Sequence, residues 1–130
     1  MKKLLFIALT LFAGVVFAQA SVDSMPPVVI ETFPIAGELK VPPGLLTLKV
    51  VFSKDMLEDS WSWVKVSNVD FPEIVGDVQF TDARTCVLQV KLEPNRTYAI
   101  WFNSEEHRGF RDLNGSSAVP YLLAFETGSK

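Results

Sequence analysis

A single cysteine among 130 residues excludes an intramolecular disulfide framework and a cysteine-rich zinc site. A single histidine, His107, leaves little for metal or acid–base chemistry. Basic residues are scarce as well. Twelve lysines and arginines stand against fifteen acids, for a net charge of −3. Lys2 and Lys3 lie in an acid-free segment, and without residues 1–20 the remaining 110 carry ten basic and fifteen acidic groups, net −5. That balance argues against a nucleic-acid partner, which needs a basic face. No long 3.6-residue hydrophobic period is present, so a helical bundle is excluded. Aromatic residues make up 12% of the chain, which argues against disorder. The length allows one domain.

What is present begins with an address. Met1-Lys2-Lys3 is a positive n-region, and residues 4–17 are an uncharged, largely apolar run of fourteen. Ala18-Gln19-Ala20 supplies small residues before a cleavage point between Ala20 and Ser21. Fourteen helical residues are too short for a hydrocarbon core of ~30 Å. The pattern therefore predicts a signal peptide over 1–20 and one exported domain over 21–130. No cysteine for lipid attachment follows the run, and no membrane span is expected after its removal. The destination is a periplasm or the extracellular space.

From Met25 onward, short β-runs alternate with proline, glycine and polar turns. Strands are expected over 28–33, 45–52, 61–67, 74–80 (broken by Gly76), 84–92, 96–103 and 121–127, with one helical turn over 53–60. The clearest alternation places Leu46, Leu48, Val50 and Phe52 on one face, and Cys86, Leu88, Val90 and Leu92 on another. Seven half-buried strands with turns about every 8–12 residues predict an all-β, antiparallel Ig-like sandwich. Leu92-Glu93-Pro94-Asn95-Arg96-Thr97-Tyr98 has the spacing of a tyrosine corner, in which the Tyr98 hydroxyl returns to upstream backbone. Pro94 suits the turn because its φ is preset.

These fragments also resemble a family. Pro34-x-x-Gly37, Val41-Pro42, Phe52-Ser53-x-x-Met56, Leu92-x-Pro94-x-x-x-Tyr98, Asp112-x-x-Gly115 and Phe125-x-Thr127 are similar, in order, to a bacterial Ig-like domain of the SbsA type. Trp61-Ser62-Trp63 departs from the general pattern, as does Ser116 where asparagine is frequent. The resemblance implies an Ig-like sandwich of exported or cell-surface proteins, a spacer or binding module without catalytic residues or cofactor.

Catalytic and metal chemistry finds little support in the residues. Cys86 and His107 are the one candidate nucleophile–base pair, but Cys86 shares a strand face with Leu88 and Val90 and should point into the core. Glu58-Asp59 and Glu105-Glu106 read as solvated loop charge. Asp112-Leu113-Asn114-Gly115 opens like a calcium loop, yet no acid follows at the far end, so a glycine-bearing β-turn is the better reading. Asn95-Arg96-Thr97 and Asn114-Gly115-Ser116 match a glycosylation sequon through turn composition. No cofactor, metal or catalytic residue is expected.

Strand parity directs attention to the tryptophans. With Tyr98 inward, Ile100 and Phe102 follow, while Ala99, Trp101 and Asn103 face out. Lys65 shares the parity of Trp61 and Trp63, and lysine is rarely buried, so all three should face outward. The expected candidate site is an outer-face patch of Trp61, Trp63, Lys65 and Trp101. It would serve a protein or polysaccharide partner. The competing outcome turns Trp61 or Trp63 into the core. A carbohydrate-binding module, an inhibitor presenting the loop 104–117 to an exported enzyme, and an enzyme centred on His107 are the alternatives to a structural or binding module. The exported protein should begin at Ser21, and its intact mass measures this; retention of Lys2 and Lys3 would instead indicate a tethered chain.

Overall fold

The structure, a computed structural model, describes residues 19–130; the n-region and apolar run of the expected signal peptide lie outside the described residues. Two antiparallel sheets face each other in an Ig-like β-sandwich. Its eight strands are β1 (Val29–Phe33), β2 (Gly44–Phe52), β3 (Trp63–Lys65), β4 (Glu73–Ile74), β5 (Gln79–Asp82), β6 (Thr85–Leu92), β7 (Thr97–Phe102) and β8 (Tyr121–Glu126). One sheet runs β1-β2-β6-β4, with β5 also on β6, and the other runs β3-β7-β8.

The alternation of β2 and β6 explains the first sheet. Leu48, Val50 and Phe52 pack inward beside Cys86, Leu88, Val90 and Leu92, all at most 2% exposed. In register they lie opposite one another, Leu48 with Leu88 and Val50 with Cys86. Tyr98, Ile100 and Phe102 of β7, with Leu123 and Phe125 of β8, close the core from the other side. Along β8 the free edge is capped by residues 37–41, whose Gly37 and Val41 amides donate to the Ala124 and Glu126 carbonyls. The Glu126 amide in turn donates to the Glu38 carbonyl, so this end of the edge is covered.

Three segments differ from the sequence expectation, each because another interaction wins. The run 74–80 splits into β4 and β5, since the backbone at Gly76 passes against Gln89 of β6, 3.1 Å from where a Cβ would sit. Residues 53–60 form bends and turns instead of a helical turn. Their Met56 and Leu57 amides donate to the Ala83 and Arg111 carbonyls, which removes them from any local helix. The run 61–67 pairs only over Trp63–Lys65, because Ser60 and Ser62 bind the Gly109 backbone.

The tyrosine corner forms. The Tyr98 hydroxyl accepts the Glu93 amide at 2.8 Å beside exposed Pro94, and Asn95 takes a positive φ of 53° in the turn. Leu92, 2% exposed, anchors its start. Thr127 braces the same corner: its hydroxyl accepts the Arg96 amide at 2.9 Å and donates to the Glu93 carbonyl at 2.6 Å. Tyr98→Phe strands the Glu93 amide and should lower stability by about 1–2 kcal/mol without changing the fold. Denaturant melts measure this; an unchanged midpoint would show that the corner hydroxyl contributes nothing.

Candidate functional site

The strand pairs decide where the tryptophans go. Trp101 lies opposite Val64 on one side and Leu122 on the other, while Trp63 lies opposite Phe102. Since Phe102 is fully buried, Trp63 faces the core with it and Trp101 faces out. Trp63 packs edge-on against Phe102 at 4.8 Å and reaches Phe110 at 6.0 Å. The expected outward placement of Trp63 is therefore corrected. The misleading residue is Lys65, which has the same inward parity, opposite buried Ile100, and is nevertheless exposed. It is the last residue of a short edge strand, so its long side chain leaves the sandwich at the open edge. Trp61 precedes the strand, 42% exposed, and is not part of the sheet face. Of the expected four-residue patch, Trp101 alone remains on that face, half-buried in a strip with Val64, Leu122 and Ala124.

Asn103 is a second correction. At φ 60° the backbone leaves the strand pattern, so this residue is fully buried instead of facing out. Its amide accepts the Phe110 N–H at 2.9 Å and donates to the Phe110 and Ala118 carbonyls at 2.9 and 3.1 Å. It thereby folds the loop 104–117 back on the body. Phe110 is completely buried, with its ring 4.9 Å from Phe52. A glycine is needed next to it, because a Cβ on Gly109 would lie 2.3 Å from the Trp61 carbonyl oxygen. Residues 105–108, 111 and 113–115 stay exposed, but Phe110 and Asp112 are buried between them, so the loop is pinned to the body and lacks the free protrusion that an inhibitor would present. Asn103 and Phe110 carry this loop's structure, and neither stood out in the sequence, since each looks like an ordinary polar or apolar loop residue.

The polar candidates do not come together. Cys86 is fully buried and its thiol is pushed up to about 12, by burial first, with the Trp63 indole and the Val87 amide offsetting only part of it. A thiol so placed is inert at neutral pH. His107 is exposed and lies beside the β3 edge near Ser62 and Lys65. Both pairs Glu58-Asp59 and Glu105-Glu106 are exposed. Among the described residues no group of three or more His, Cys, Asp or Glu is arranged to hold a metal.

Asp112 is 1% exposed, and both of its oxygens have partners. Oδ1 accepts the Asn114 and Ser116 amides at 2.9 Å, and Oδ2 accepts the Lys54 ammonium at 2.7 Å. Lys54 also donates to the Asp23 and Met25 carbonyls at 3.1 and 3.0 Å, tying the N-terminal segment to the turn. An internal ammonium thus stands where a calcium loop would place its cation, and Gly115 takes the positive φ of 83° of a β-turn.

The matching of whole sequences agrees with this architecture. Residues 23–127 match the family described as bacterial Ig-like domain. The chain belongs to that family. The Ig-like domain also superposes on the crystal structure of CopC from Methylosinus trichosporium OB3b, with a TM-score of 0.58 at 14% identity, covering 78% of this chain and 93% of that one. At that identity the likeness is one of fold. No curated protein sequence matches the chain significantly.

The Lys54–Asp112 pair gives the Ig-like domain an acid sensitivity. Burial is the largest influence on Asp112 and raises its pKa, but the Lys54 hydrogen bond and the Ser116 and Asn114 amides together outweigh it. The carboxyl therefore sits below its ordinary value of 3.8. A carboxyl depressed in the folded state stabilises above its unfolded pKa, and that contribution fades as pH falls through the folded one. Asp112→Asn should cost on the order of 3 kcal/mol at neutral pH, by leaving Lys54 buried without its counter-charge. In urea melts at successive pH values, the gap to the parent protein should close below the ordinary carboxylate range; a gap constant with pH would exclude the charge as its cause.

Proposed function

We propose that this Ig-like domain is an exported, non-catalytic binding module of the periplasm or extracellular space, and that Trp101 centres its contact face. Support for export is the lysine-led apolar segment ending in Ala18-Gln19-Ala20, with Ala20 and Ser21 both exposed just before the docked N-terminal turn. Support for a non-catalytic role is the separation of the candidate nucleophile from the candidate base, with His107 at the surface. Cys86 is sealed in the core, and Asp112 is neutralised by Lys54.

The observation that carries the binding role is the row Val64–Trp101–Leu122 across three neighbouring strands. It sets one large amphipathic ring among aliphatic side chains on an outer sheet face, and Leu122 is 41% exposed there. Aromatic residues at the centre of such patches dominate protein interfaces. A sugar platform instead uses several rings in a plane, and with Trp63 turned inward this face offers a single indole. A protein partner is therefore favoured over a polysaccharide.

Because Trp101 faces away from the core and is only half-buried, Trp101→Ala should lower the thermal midpoint modestly and leave the fold intact. It should weaken partner capture from the exported fraction by about tenfold or more, the scale of an interface hot spot. Affinity electrophoresis in polysaccharide gels tests the alternative; retardation that depends on Trp101 would move the reading to carbohydrate. Equal protein capture by the variant and the parent would remove Trp101 from the contact face.

A further inference from the structure

Of the four asparagines in the chain, Asn68, Asn95, Asn103 and Asn114, the last alone is followed by glycine. Asn114 and Gly115 are exposed at the tip of a turn, and nothing lies within 4 Å of the place a Gly115 Cβ would take. An unobstructed Asn-Gly peptide has an intramolecular reaction open to it. The Gly115 nitrogen attacks Asn114 Cγ and forms a new C–N bond. The bond from Cγ to the side-chain nitrogen breaks, and ammonia leaves, carrying the proton that the Gly115 amide gives up. Water then opens the resulting cyclic imide at either carbonyl, giving aspartate or isoaspartate at 114. No oxidant or cofactor is required.

The folded turn opposes that reaction. Three successive amides, those of Asn114, Gly115 and Ser116, all point at Asp112. The first and third donate to Oδ1 and the second to its backbone carbonyl, each at 2.9 Å. While the Gly115 N–H is held in this way, its nitrogen must give up that hydrogen bond before it can attack Asn114 Cγ. Asp112 is itself fixed by the Lys54 ammonium at 2.7 Å. We propose that Asn114 is a latent self-modification site, with deamidation suppressed by the Asp112–Lys54 clamp and released when the turn opens.

Modification would in turn disable the clamp. Isoaspartate inserts a backbone methylene between the amides that Asp112 holds, so the three can no longer be satisfied in register. Lys54 would then be held less firmly to the turn, and with it Asp23 and Met25, whose carbonyls it binds. Ageing at one exposed turn would loosen the N-terminal segment of an otherwise intact sandwich.

The test compares the whole chain, native and urea-unfolded, during incubation at mildly alkaline pH, with peptide mapping and isoaspartate detection at all four asparagines. The unfolded chain should convert Asn114 well ahead of the others, and the native protein should be slower at Asn114 by about tenfold or more, as expected when reaction requires local opening. Asp112→Ala should raise the native rate several-fold. If that variant does not fold, hydrogen exchange at the Gly115 amide of the unaltered protein decides the matter, with protection expected. Equal native and unfolded rates, an unchanged rate in folded Asp112→Ala, or an unprotected Gly115 amide would each overturn the proposal.

Discussion

At one end of the sandwich the ring of Phe110, carried in on a loop, fills the space between Phe52, Trp63 and Phe102, with centroid separations of 4.9, 6.0 and 6.2 Å. Much of the local architecture depends on this insertion. It gives Trp63 a packing partner inside the core and so sets the facing of β3. It also draws the loop 104–117 against Trp61 and Ser62, closely enough that position 109 accommodates only glycine. Burial of a large aromatic ring outweighs the entropy of ordering the loop around it.

The buried polar groups serve the same end. Asn103 satisfies Phe110 and Ala118 backbone groups that would otherwise be unpaired in an apolar setting. Lys54 and Asp112 neutralise each other with side chains 11% and 1% exposed, and their remaining hydrogen-bonding capacity goes to backbone on both sides. Thr127 and Tyr98 do likewise at the opposite corner. Each network joins separate segments of the chain, and together they hold three loops in place.

Legibility in the sequence followed the range of the interaction. The inward faces of β2 and β6 could be read from period two alone, because every second side chain of a strand meets the same environment. The tyrosine corner was readable because its parts lie within seven residues. Trp63 could not be placed that way. The rule that lysine avoids the core fails for Lys65 at the end of an edge strand, where inward parity and solvent access coexist. Asn103 escapes parity for a related reason: a left-handed residue breaks the alternation on which parity depends.

By itself the amino-acid sequence determined the class of fold, the two long inward faces and the membership of a bacterial Ig-like family, since all of these rest on local periodicity and short spacing. Which face Trp63 takes, where the loop 104–117 lies and what the Asp112 carboxylate meets were decided by the tertiary structure. Each of these turns on a partner far along the chain, Phe110 for Trp63, Asn103 for the start of the loop and Lys54 for Asp112. Such contacts exist only where the closed sheets bring the segments together, and no local spacing encodes them.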